Sequence, residues 1–395
     1  MSNSRDFNRA RVFEVIHLFE PVSRSEIAQH VGLTTASISY IVAELLELGY
    51  VIELGRRTSS RGQPAIEMGV AANSAYTLGL HFSHERIRGA VVDLKGNIIF
   101  DIVEDLPRPP TPAAVMKSLI RIGKLLKQEV PNGKPLAAGL ASVGPIDLVQ
   151  GSVTQTAFTT DWDNVQLRQP LAEALNLPVY MDNNATVAAI GEFWYGMGRD
   201  YRNFLHITFF GNGLGGGLFL DRRVYRGAGL NAAEFGHLLI HPQKPVKGVV
   251  PYLENYVSGY ALQRDLGANI LAEISERINT GEKTLMAWLD MASDLFAKAL
   301  VSVDHMLNLD AIIVGGQLPP EFIRALLQGV STRLDDYYMP GWSERAKLRQ
   351  CSNGDDNAVL GAATLPIYDV LALTAHGTGT GSNLYKSDAE GGLMQ

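Results

Sequence analysis

Near the amino terminus, apolar side chains recur at the three- and four-residue spacing of a helix, and short polar segments interrupt them. This spacing predicts a first helix over residues 7–19. Ser23 and Glu26 form an S-x-x-E pattern, in which each side chain satisfies a free backbone N–H at the start of a second helix. A third helix is predicted to begin after Thr34 and to end at Gly49. Its apolar face consists of Ile38, Ile41, Val42, Leu45 and Leu46.

After the third helix, the pattern becomes that of strands. The stretch "YVIELGRRTSSRGQPAIEM" predicts two short strands on either side of a polar tip. From about Tyr76 onward, strand-like apolar runs alternate with helical segments, which is typical of an α/β protein. The strand-like runs include "YTLGLHF", "RGAVVDLKGNIIFDIVEDL", "LAAGLASVGPI", "LHITFFGNGLGGGLFLD" and "AIIVGG". The helical segments include residues 113–130 and roughly 258–307.

The length of 395 residues exceeds what one ordinary core supports, so two or three domains are expected. Residues 1–72 are predicted to form a mainly helical first domain. Residues 73–185, together with about 355–373, are predicted to form a first α/β lobe, and residues 186–354 a second. Residues 374–395 are rich in Gly and Ser and predict a disordered tail.

Composition narrows the class of protein. Apolar residues make up 46% of the chain and charged residues 19%, which describes a globular protein and excludes a fibre. The net charge of −7 excludes a wholly basic nucleic-acid binder but permits a local basic patch. A single cysteine, Cys351, excludes a disulfide framework and a zinc site built mainly from thiolates. Without a signal-peptide pattern or a membrane-spanning apolar run, the expected location is the cytoplasm, with no membrane contact.

The order of three helices and a ribbon predicts a winged helix-turn-helix, whose third helix enters the major groove of DNA. That groove is about 12 Å wide, so the start of the helix should carry short hydrogen-bonding side chains. The candidates in the third helix are Thr34, Thr35, Ser37, Ser39 and Tyr40. In the ribbon, Arg56, Arg57 and Arg61 have no acid between Gly55 and Pro64, so they are candidates for contacts to phosphates or the minor groove.

Overall charge does not decide whether this first domain binds DNA. Residues 1–70 contain seven Arg against eight Asp plus Glu. An ordinary helical cap with a solvated basic loop therefore remains an alternative to a DNA-binding domain.

Seven segments resemble, in the same order, those of the ROK family of repressors, open reading frames and sugar kinases. They extend to about residue 370: "RGAVVDLKGN", "GLASVGPID", "DNNATVAAIGE", "GNGLGGGLFLDRRVYRGAGLNAAEFGHL", "YLENYVSGYAL", "AIIVGG" and "DDNAVLGAA". One glycine-rich loop is a weak signal, but seven segments in order are specific. The resemblance is to the repressor branch of the family. It implies an α/β, actin-like (ribonuclease H-like) two-lobed sugar-kinase fold preceded by the winged helix-turn-helix domain.

The nucleotide-binding residues of the family's kinases are changed in this chain. In those kinases the first strand leads into D-x-G-G-T, which serves Mg-ATP. Here His81 stands in place of the Asp, and Ser83, His84 and Glu85 replace G-G-T. The bulk of these side chains and the negative charge of Glu85 would oppose phosphate groups, so no cofactor is expected. The loop "GNGLGGG" keeps its glycines, but glycines also persist where a hairpin is tightly packed.

The sugar-binding residues are largely retained. In the family's kinases the motif resembles E-N-D-A-N-A, and its Asp is the general base for the sugar hydroxyl. Asn184 occupies that position here, and a carboxamide has no usable basicity near neutral pH. We therefore expect no catalytic residue and no kinase activity. The motifs "DNNATVAAIGE", "EFGH" and "YLENY" imply sugar contacts from Asn183, Asn184, Glu234, His237 and Glu254. Alternatively, Glu234 and His237 are interior hydrogen-bonding residues of a lobe that no longer binds a ligand.

The family's zinc loop is also changed. Its usual His and three cysteines are replaced by "HLLIHPQKPVKGVVPYLEN", which contains no cysteine. His237 and His241 alone do not make a structural zinc site, so no bound metal is expected. The changed segment leaves the position of Glu254 open.

These patterns favour a sugar-responsive transcriptional regulator, in particular a repressor. A homodimer or higher homo-oligomer would present two recognition helices to a palindromic operator, about one helical turn apart. A small carbohydrate effector would bind in the cleft between the lobes and alter DNA binding. The alternatives are a sugar kinase with an appended DNA-binding domain, and a regulator controlled by a partner protein or a phosphorylated sugar. The sequence names neither the sugar nor the operator, and it does not tell whether the ligand releases or promotes DNA binding.

Overall fold

The computed structural model describes residues 4–57, 65–131, 133–154 and 161–373. Two predictions fall outside these residues, namely the DNA contact of Arg61 and the disordered tail at 374–395. The chain divides into two compact units. The first contains residues 1–183 and those from 359 onward, and the second contains residues 184–358. The domain boundaries drawn from the sequence stay a prediction.

The first unit begins with packed helices and an antiparallel ribbon. The elements are α1 (Ser4–Phe19), β1 (Val22–Ser23), α2 (Arg24–Val31), α3 (Thr35–Glu47), β2 (Val51–Arg57) and β3 (Ala65–Val70). The strand order is β1-β3-β2, and both pairings are antiparallel. Of the apolar face predicted for α3, Leu46 is half-buried and the others are buried. Each fully buried side chain of this kind stabilises the fold by about 1.5–3 kcal/mol.

The capping hydrogen bonds predicted at the starts of the second and third helices are present in the structure. The backbone N–H of Ser23 donates to Glu26 Oε2 at 2.8 Å, and the N–H of Glu26 donates to Ser23 Oγ at 3.4 Å. The N–H of Ser37 donates to Thr34 Oγ1 at 3.2 Å. These contacts satisfy backbone donors that have no partner within the helix, and so define where α2 and α3 begin.

A five-stranded sheet follows in the first unit. The elements of this region are β4 (Tyr76–Phe82), β5 (Arg86–Asp93), β6 (Ile98–Asp105), α4 (Pro112–Glu129), β7 (Ala138–Ser142), β8 (Ile146–Asp147), β9 (Ser152–Val153), β10 (Val165–Gln166), α5 (Arg168–Leu175) and β11 (Val179–Asn183). The short strands β8, β9 and β10 form a separate antiparallel sheet, and the other five strands form the five-stranded sheet. The order is β11-β7-β4-β5-β6, with β4, β7 and β11 parallel and β4–β5–β6 antiparallel. The carboxyl ends of the parallel strands therefore meet at one edge of the sheet, where Asn183 lies.

The second unit has its own five-stranded sheet. Its elements are α6 (Asn184–Tyr195), β12 (Phe204–Phe209), β13 (Leu214–Leu220), β14 (Arg223–Tyr225), α7 (Gly259–Leu266), α8 (Ile270–Asn279), α9 (Lys283–Leu307), β15 (Ala311–Gly316), α10 (Pro320–Ser331), α11 (Leu334–Tyr337) and β16 (Lys347–Gln350). The order is β14-β13-β12-β15-β16, in which β13 is antiparallel to β12 and β15 is parallel to it. Single 3-10 turns at Phe235–His237 and Leu253–Asn255 connect these elements.

The last helix, α12 (Asp356–Leu373), begins in the second unit and continues in the first. Within the first unit it packs against the sheet at two glycines. A Cβ built on Gly79 would lie 2.2 Å from the carbonyl oxygen of Val359, and one on Gly139 would lie 1.8 Å from that of Ala362. Both positions therefore require glycine, because any side chain would push the helix off the sheet.

Candidate functional site

Three of the predicted sugar-binding residues meet in the second unit. His237 Nδ1 lies 3.0 Å from Glu234 Oε2, and His237 Nε2 lies 3.4 Å from Glu254 Oε1. Glu254 Oε2 also accepts a hydrogen bond of 3.4 Å from the backbone N–H of Leu214. The imidazole thus lies between two carboxylates, all three side chains being partly exposed.

The backbone around the triad of Glu234, His237 and Glu254 holds these three side chains in place. Phe235, between Glu234 and His237 in the sequence, is buried, and its ring packs edge to face with that of Phe296 on α9, with the ring centroids 5.5 Å apart. A Cβ on Gly236 would lie only 2.1 Å from the carbonyl oxygen of Leu214, so glycine allows the turn to approach the start of β13. The triad is therefore fixed by the core of the second unit.

A second set of contacts positions Glu254. The N–H of Leu253 donates to the carbonyl of Leu238 at 2.9 Å, and Leu253 is fully buried. Leu239 and Tyr252 form an isolated antiparallel bridge. The two ends of the segment that lacks the family's cysteines, residues 237–255, therefore pair with each other, and this pairing places Glu254 beside His237.

The electrostatics of the triad favour a charged imidazole. The hydrogen bond that His237 Nδ1 donates to Glu234 raises the pKa of His237, and the charges of both carboxylates add to this effect against the cost of burial. Burial raises the pKa of Glu254. An imidazole between two carboxylates offers the mixed hydrogen-bonding groups that neighbouring hydroxyls of a sugar require.

Asn183 and Asn184 lie at the junction of β11 and α6. Asn183 ends β11 in the first unit, and its Nδ2 would be 2.6 Å from a Cβ on Gly144. The carboxylate of Asp182 accepts the backbone N–H of Asn183 at 2.7 Å. Asn184 begins α6 in the second unit and is 8% exposed. Their contacts with a sugar stay a prediction.

The retained glycines of "GNGLGGG" have a packing role. A Cβ on Gly215 would lie 2.6 Å from Ala185 Cβ, and one on Gly217 would lie 2.5 Å from Ala189 Cβ. Both contacts are with α6, so the glycines allow this helix to lie directly on β13. This packing accounts for the glycines without a bound phosphate.

The turn that replaces the family's G-G-T is closed by its own side chain. The hydroxyl of Ser83 donates to the carbonyl of Arg86 at 3.0 Å and accepts the N–H of Arg86 at 3.2 Å. Glu85 pairs with Arg108 at 3.3 Å, which offsets part of its negative charge. The bulk of the side chains that replace the glycines is therefore a stronger argument against phosphate binding than the negative charge of Glu85 is.

The residues predicted to contact DNA lie partly as expected. Thr34, Thr35, Ser37, Ser39 and Tyr40 are all exposed at the start of α3. Arg56 is exposed at the end of β2. Whether these side chains contact DNA stays a prediction.

Arg57 is held by two carboxylates. Its Nη2 lies 2.9 Å from Glu26 Oε2 and its Nε lies 2.6 Å from Glu67 Oε1. Hydrogen bonds from Ser23, and then from Arg57, lower the pKa of Glu26 to about 2. A phosphate contact by Arg57 would have to replace these two ion pairs. The sequence did not indicate that the ion pairs form.

Sequence reasoning also missed two groups beside the triad and one cluster away from it. The ring of Tyr252 meets that of His237 edge-on at 5.2 Å, and the N–H of Leu214 binds Glu254. Tyr252 is the first residue of the matched "YLENY" segment and was open to inference. The buried cluster of Glu192, His206 and Cys351 had no signal, because its members are far apart in sequence.

Residues 77–368 match the model of the ROK family, and the chain belongs to that family. A xylose repressor from Caldicellulosiruptor bescii is 30% identical over 263 residues, which are 65% of this chain and 65% of that protein. The match therefore spans slightly less than two thirds of the relative's length.

Solved structures show the same fold. A ROK family transcriptional regulator, a homologue of the E. coli MLC protein, is 22% identical with a TM-score of 0.75 over 94% of this chain and 98% of that chain. A ROK family glucokinase from Streptomyces griseus, solved with glucose and AMPPNP, is 23% identical with a TM-score of 0.64 over 74% of this chain and 99% of that chain. The predicted fold class, an actin-like sugar-kinase fold after a helical amino-terminal region, is confirmed. Regulators and kinases both occur among the relatives, so the family by itself does not decide between them.

Across the described helices, none combines the length and the apolar character needed to cross a membrane.

Proposed function

We propose that this chain is a sugar-responsive transcriptional repressor without kinase activity. One observation carries the proposal: the side chains of Glu234, His237 and Glu254 meet in a group whose donors and acceptors suit hydroxyls, while by resemblance Asn184 stands where the kinases have their general base. A site of this kind keeps groups that bind a sugar but lacks the base that the family's kinases use to remove a proton from the sugar hydroxyl. The named repressor among the relatives supports the same interpretation.

We further propose that residues 1–72 form a winged helix-turn-helix that binds operator DNA in the cytoplasm. The exposed polar side chains at the start of α3, from Thr34 to Tyr40, supply hydrogen-bond donors and acceptors for base edges. The buried face of α3 is occupied by its own domain core, so its exposed face is the one available to a groove. A homodimer would place two such helices on a palindromic site.

The effector in this proposal is a small carbohydrate. Each hydrogen bond that a hydroxyl makes to a charged group contributes about 1.5–3 kcal/mol. Glu234 and Glu254 supply acceptor oxygens for the sugar hydroxyls, and the imidazole of His237 supplies a ring nitrogen. Binding alters repression only if the sugar has different affinities for the states of the protein that bind and release DNA.

A sugar kinase with an appended DNA-binding domain is the competing function. The shared fold with a glucokinase is the observation in its favour. Asn184 and the side-chain-closed turn at Ser83 stand against it. A coupled assay with ATP and a panel of monosaccharides separates the two functions, because sustained phosphorylation of any sugar contradicts our proposal.

The central test begins with a thermal-shift screen of the full chain against monosaccharides and their phosphates. The best ligand is then titrated by calorimetry into wild type, Glu234→Ala and Glu344→Ala. Glu344 is an exposed acid outside the triad, so its variant controls for the loss of one negative charge. We expect Glu234→Ala alone to lose sugar binding.

The DNA readout uses the operator selected from random duplexes by the wild-type protein. We expect Glu234→Ala to bind this DNA normally and to ignore the sugar, while Glu344→Ala responds as wild type does. Retained induction in Glu234→Ala would place the effector site elsewhere. If every free and phosphorylated sugar fails to bind, we would conclude that a partner protein, and not a sugar, controls DNA binding.

A further inference from the structure

A buried cluster of three metal-binding residue types lies in the second unit, apart from the triad. Glu192 is on α6, His206 is on β12, and Cys351 follows β16. Glu192 and His206 are fully buried, and Cys351 is 8% exposed. One potential ligand atom from each residue lies within 4.8 Å of those of the other two. To bind one ion together, these three ligand atoms would need to move only slightly closer to each other.

The strand register directs His206 toward Glu192. His206 lies directly opposite Gly217 of β13, and cross-strand partners point to the same face of a sheet. That face is covered by α6, because a Cβ on Gly217 would contact Ala189. Glu192 follows Ala189 by three residues, on the same side of the helix.

The two ring nitrogens of His206 have different surroundings. Nδ1 lies 3.0 Å from the hydroxyl of Thr208. Nε2 is buried and, among the described atoms, has no hydrogen-bond partner. Such a group costs about 1–3 kcal/mol when it is left unsatisfied. An imidazole with one nitrogen held by a neighbour and the other available is the usual arrangement of a metal-binding histidine.

The other two groups are already in contact. Cys351 Sγ lies 3.1 Å from Glu192 Oε2, and Asn357 Nδ2 lies 2.7 Å from the same oxygen and 3.0 Å from the sulfur. Glu192 Oε1 is held separately by the N–H of Met197 at 2.9 Å. This second contact leaves the orientation of the carboxylate defined, with Oε2 directed toward the sulfur.

We propose that Glu192, His206 and Cys351 bind one Zn²⁺ ion. A set of one carboxylate oxygen, one imidazole nitrogen and one thiolate suits zinc, whereas Mg²⁺ and Ca²⁺ prefer oxygen ligands alone. Binding breaks the S–H bond of Cys351 and releases its proton to solvent as the Zn–S bond forms. The amide of Asn357 can present its oxygen after rotation by half a turn, or a water molecule can complete the tetrahedron.

The proposed ion would have a structural role. It would join α6 and β12 to the loop that leads into α12, and α6 is the helix that begins at Asn184. This proposal departs from the expectation, drawn from the sequence, that the chain binds no metal. That expectation rested on the family's zinc loop, and the present cluster is built from other residues.

Metal content of the purified full chain tests the proposal directly. The protein is stripped with a chelator, incubated with Zn²⁺ and dialysed, and zinc is then measured by mass spectrometry. We expect about one equivalent in wild type and in the control His241→Gln, whose histidine is exposed and outside the cluster. Cys351→Ser and His206→Gln should retain none. Zinc-free wild type, or as much zinc in both cluster variants as in wild type, would overturn the proposal.

Two further measurements keep the test decisive if the cluster variants do not fold. Replacement of Zn²⁺ by Co²⁺ in wild type should produce the thiolate-to-cobalt charge-transfer band and the intense visible bands of a tetrahedral ion. Thr208→Val, which is close in shape, should weaken zinc affinity about 10- to 100-fold by releasing Nδ1 of His206. Absence of the charge-transfer band would exclude Cys351 as a ligand and contradict the assigned site.

Discussion

Substitution of Gly236 by alanine tests how closely the triad that we propose to bind a sugar depends on one backbone contact. The new Cβ would lie 2.1 Å from the carbonyl oxygen of Leu214, whereas real Cβ contacts are essentially never under 3.0 Å. The turn must therefore move away from β13 by at least the difference, 3.0 − 2.1 = 0.9 Å. The φ angle at Gly236 is not left-handed, so this contact is the source of the strain.

A shift of this size is large for the triad. The bond from the N–H of Leu214 to Glu254 is already 3.4 Å long, and so is the separation of His237 Nε2 from Glu254 Oε1. Overpacking should lower the free energy of unfolding by about 1–3 kcal/mol. Loss of one charge-assisted hydrogen bond to the sugar, about 1.5–3 kcal/mol, corresponds to about 10- to 150-fold weaker binding.

Calorimetry with the sugar found by the thermal-shift screen measures the affinity, and a pH titration of the His237 imidazole resonance measures the local geometry. Gly229→Ala is the matched control, since its Cβ meets nothing within 4 Å. Gly213→Ala is a second control, because its Cβ would be 3.8 Å from the carboxylate of Glu254, an ordinary contact. Wild-type affinity in folded Gly236→Ala, with an unchanged titration of His237, would refute the idea that this turn positions the triad.

Three other substitutions give distinct outcomes. In wild type the raised pKa of His237 contributes stability that is complete below the unfolded value of 6.5 and is lost as pH rises through the folded pKa, so Glu234→Gln should flatten this decline in urea unfolding. Arg56→Gln should reduce the slope of log binding constant against log salt concentration by about 0.9 for each phosphate that the side chain no longer neutralises. Arg57→Gln should change this slope less, because Arg57 is already paired with two carboxylates. Fluorescence anisotropy of labelled DNA at several salt concentrations measures both slopes. Asp304→Asn should lower the free energy of unfolding by about 2–4 kcal/mol, because this fully buried carboxylate accepts hydrogen bonds from Leu309, Tyr338 and Ala346, and equal stability in denaturant would contradict that interpretation.

The order of elements could be predicted from the sequence because their signals are local. The contacts of Ser23 with Glu26, and of Thr34 with Ser37, join residues three apart, so the pattern of letters predicts them directly. Apolar spacing likewise predicted the buried face of α3. The family's fold followed from motifs whose order is visible along the chain.

The site could be predicted only in part. Resemblance identified Glu234, His237 and Glu254, and their contacts confirm that the three side chains meet. It did not predict that Leu214 holds Glu254, since these residues are 40 positions apart. Residue types in a motif indicate chemistry, but the distances between their atoms depend on how a turn packs against a strand.

Local spacing along the chain therefore determined where helices and strands begin and which faces are apolar, and the resemblance to the family implied that Asn184 stands in place of a base. Tertiary structure alone decided that Arg57 reaches Glu26, 31 residues away, and that Cys351 reaches Glu192 across 159 residues. The physical reason is the distance along the chain over which each kind of interaction acts. Backbone hydrogen bonding and side-chain periodicity act within a few residues, whereas partners far apart in sequence meet only after sheets and helices have packed.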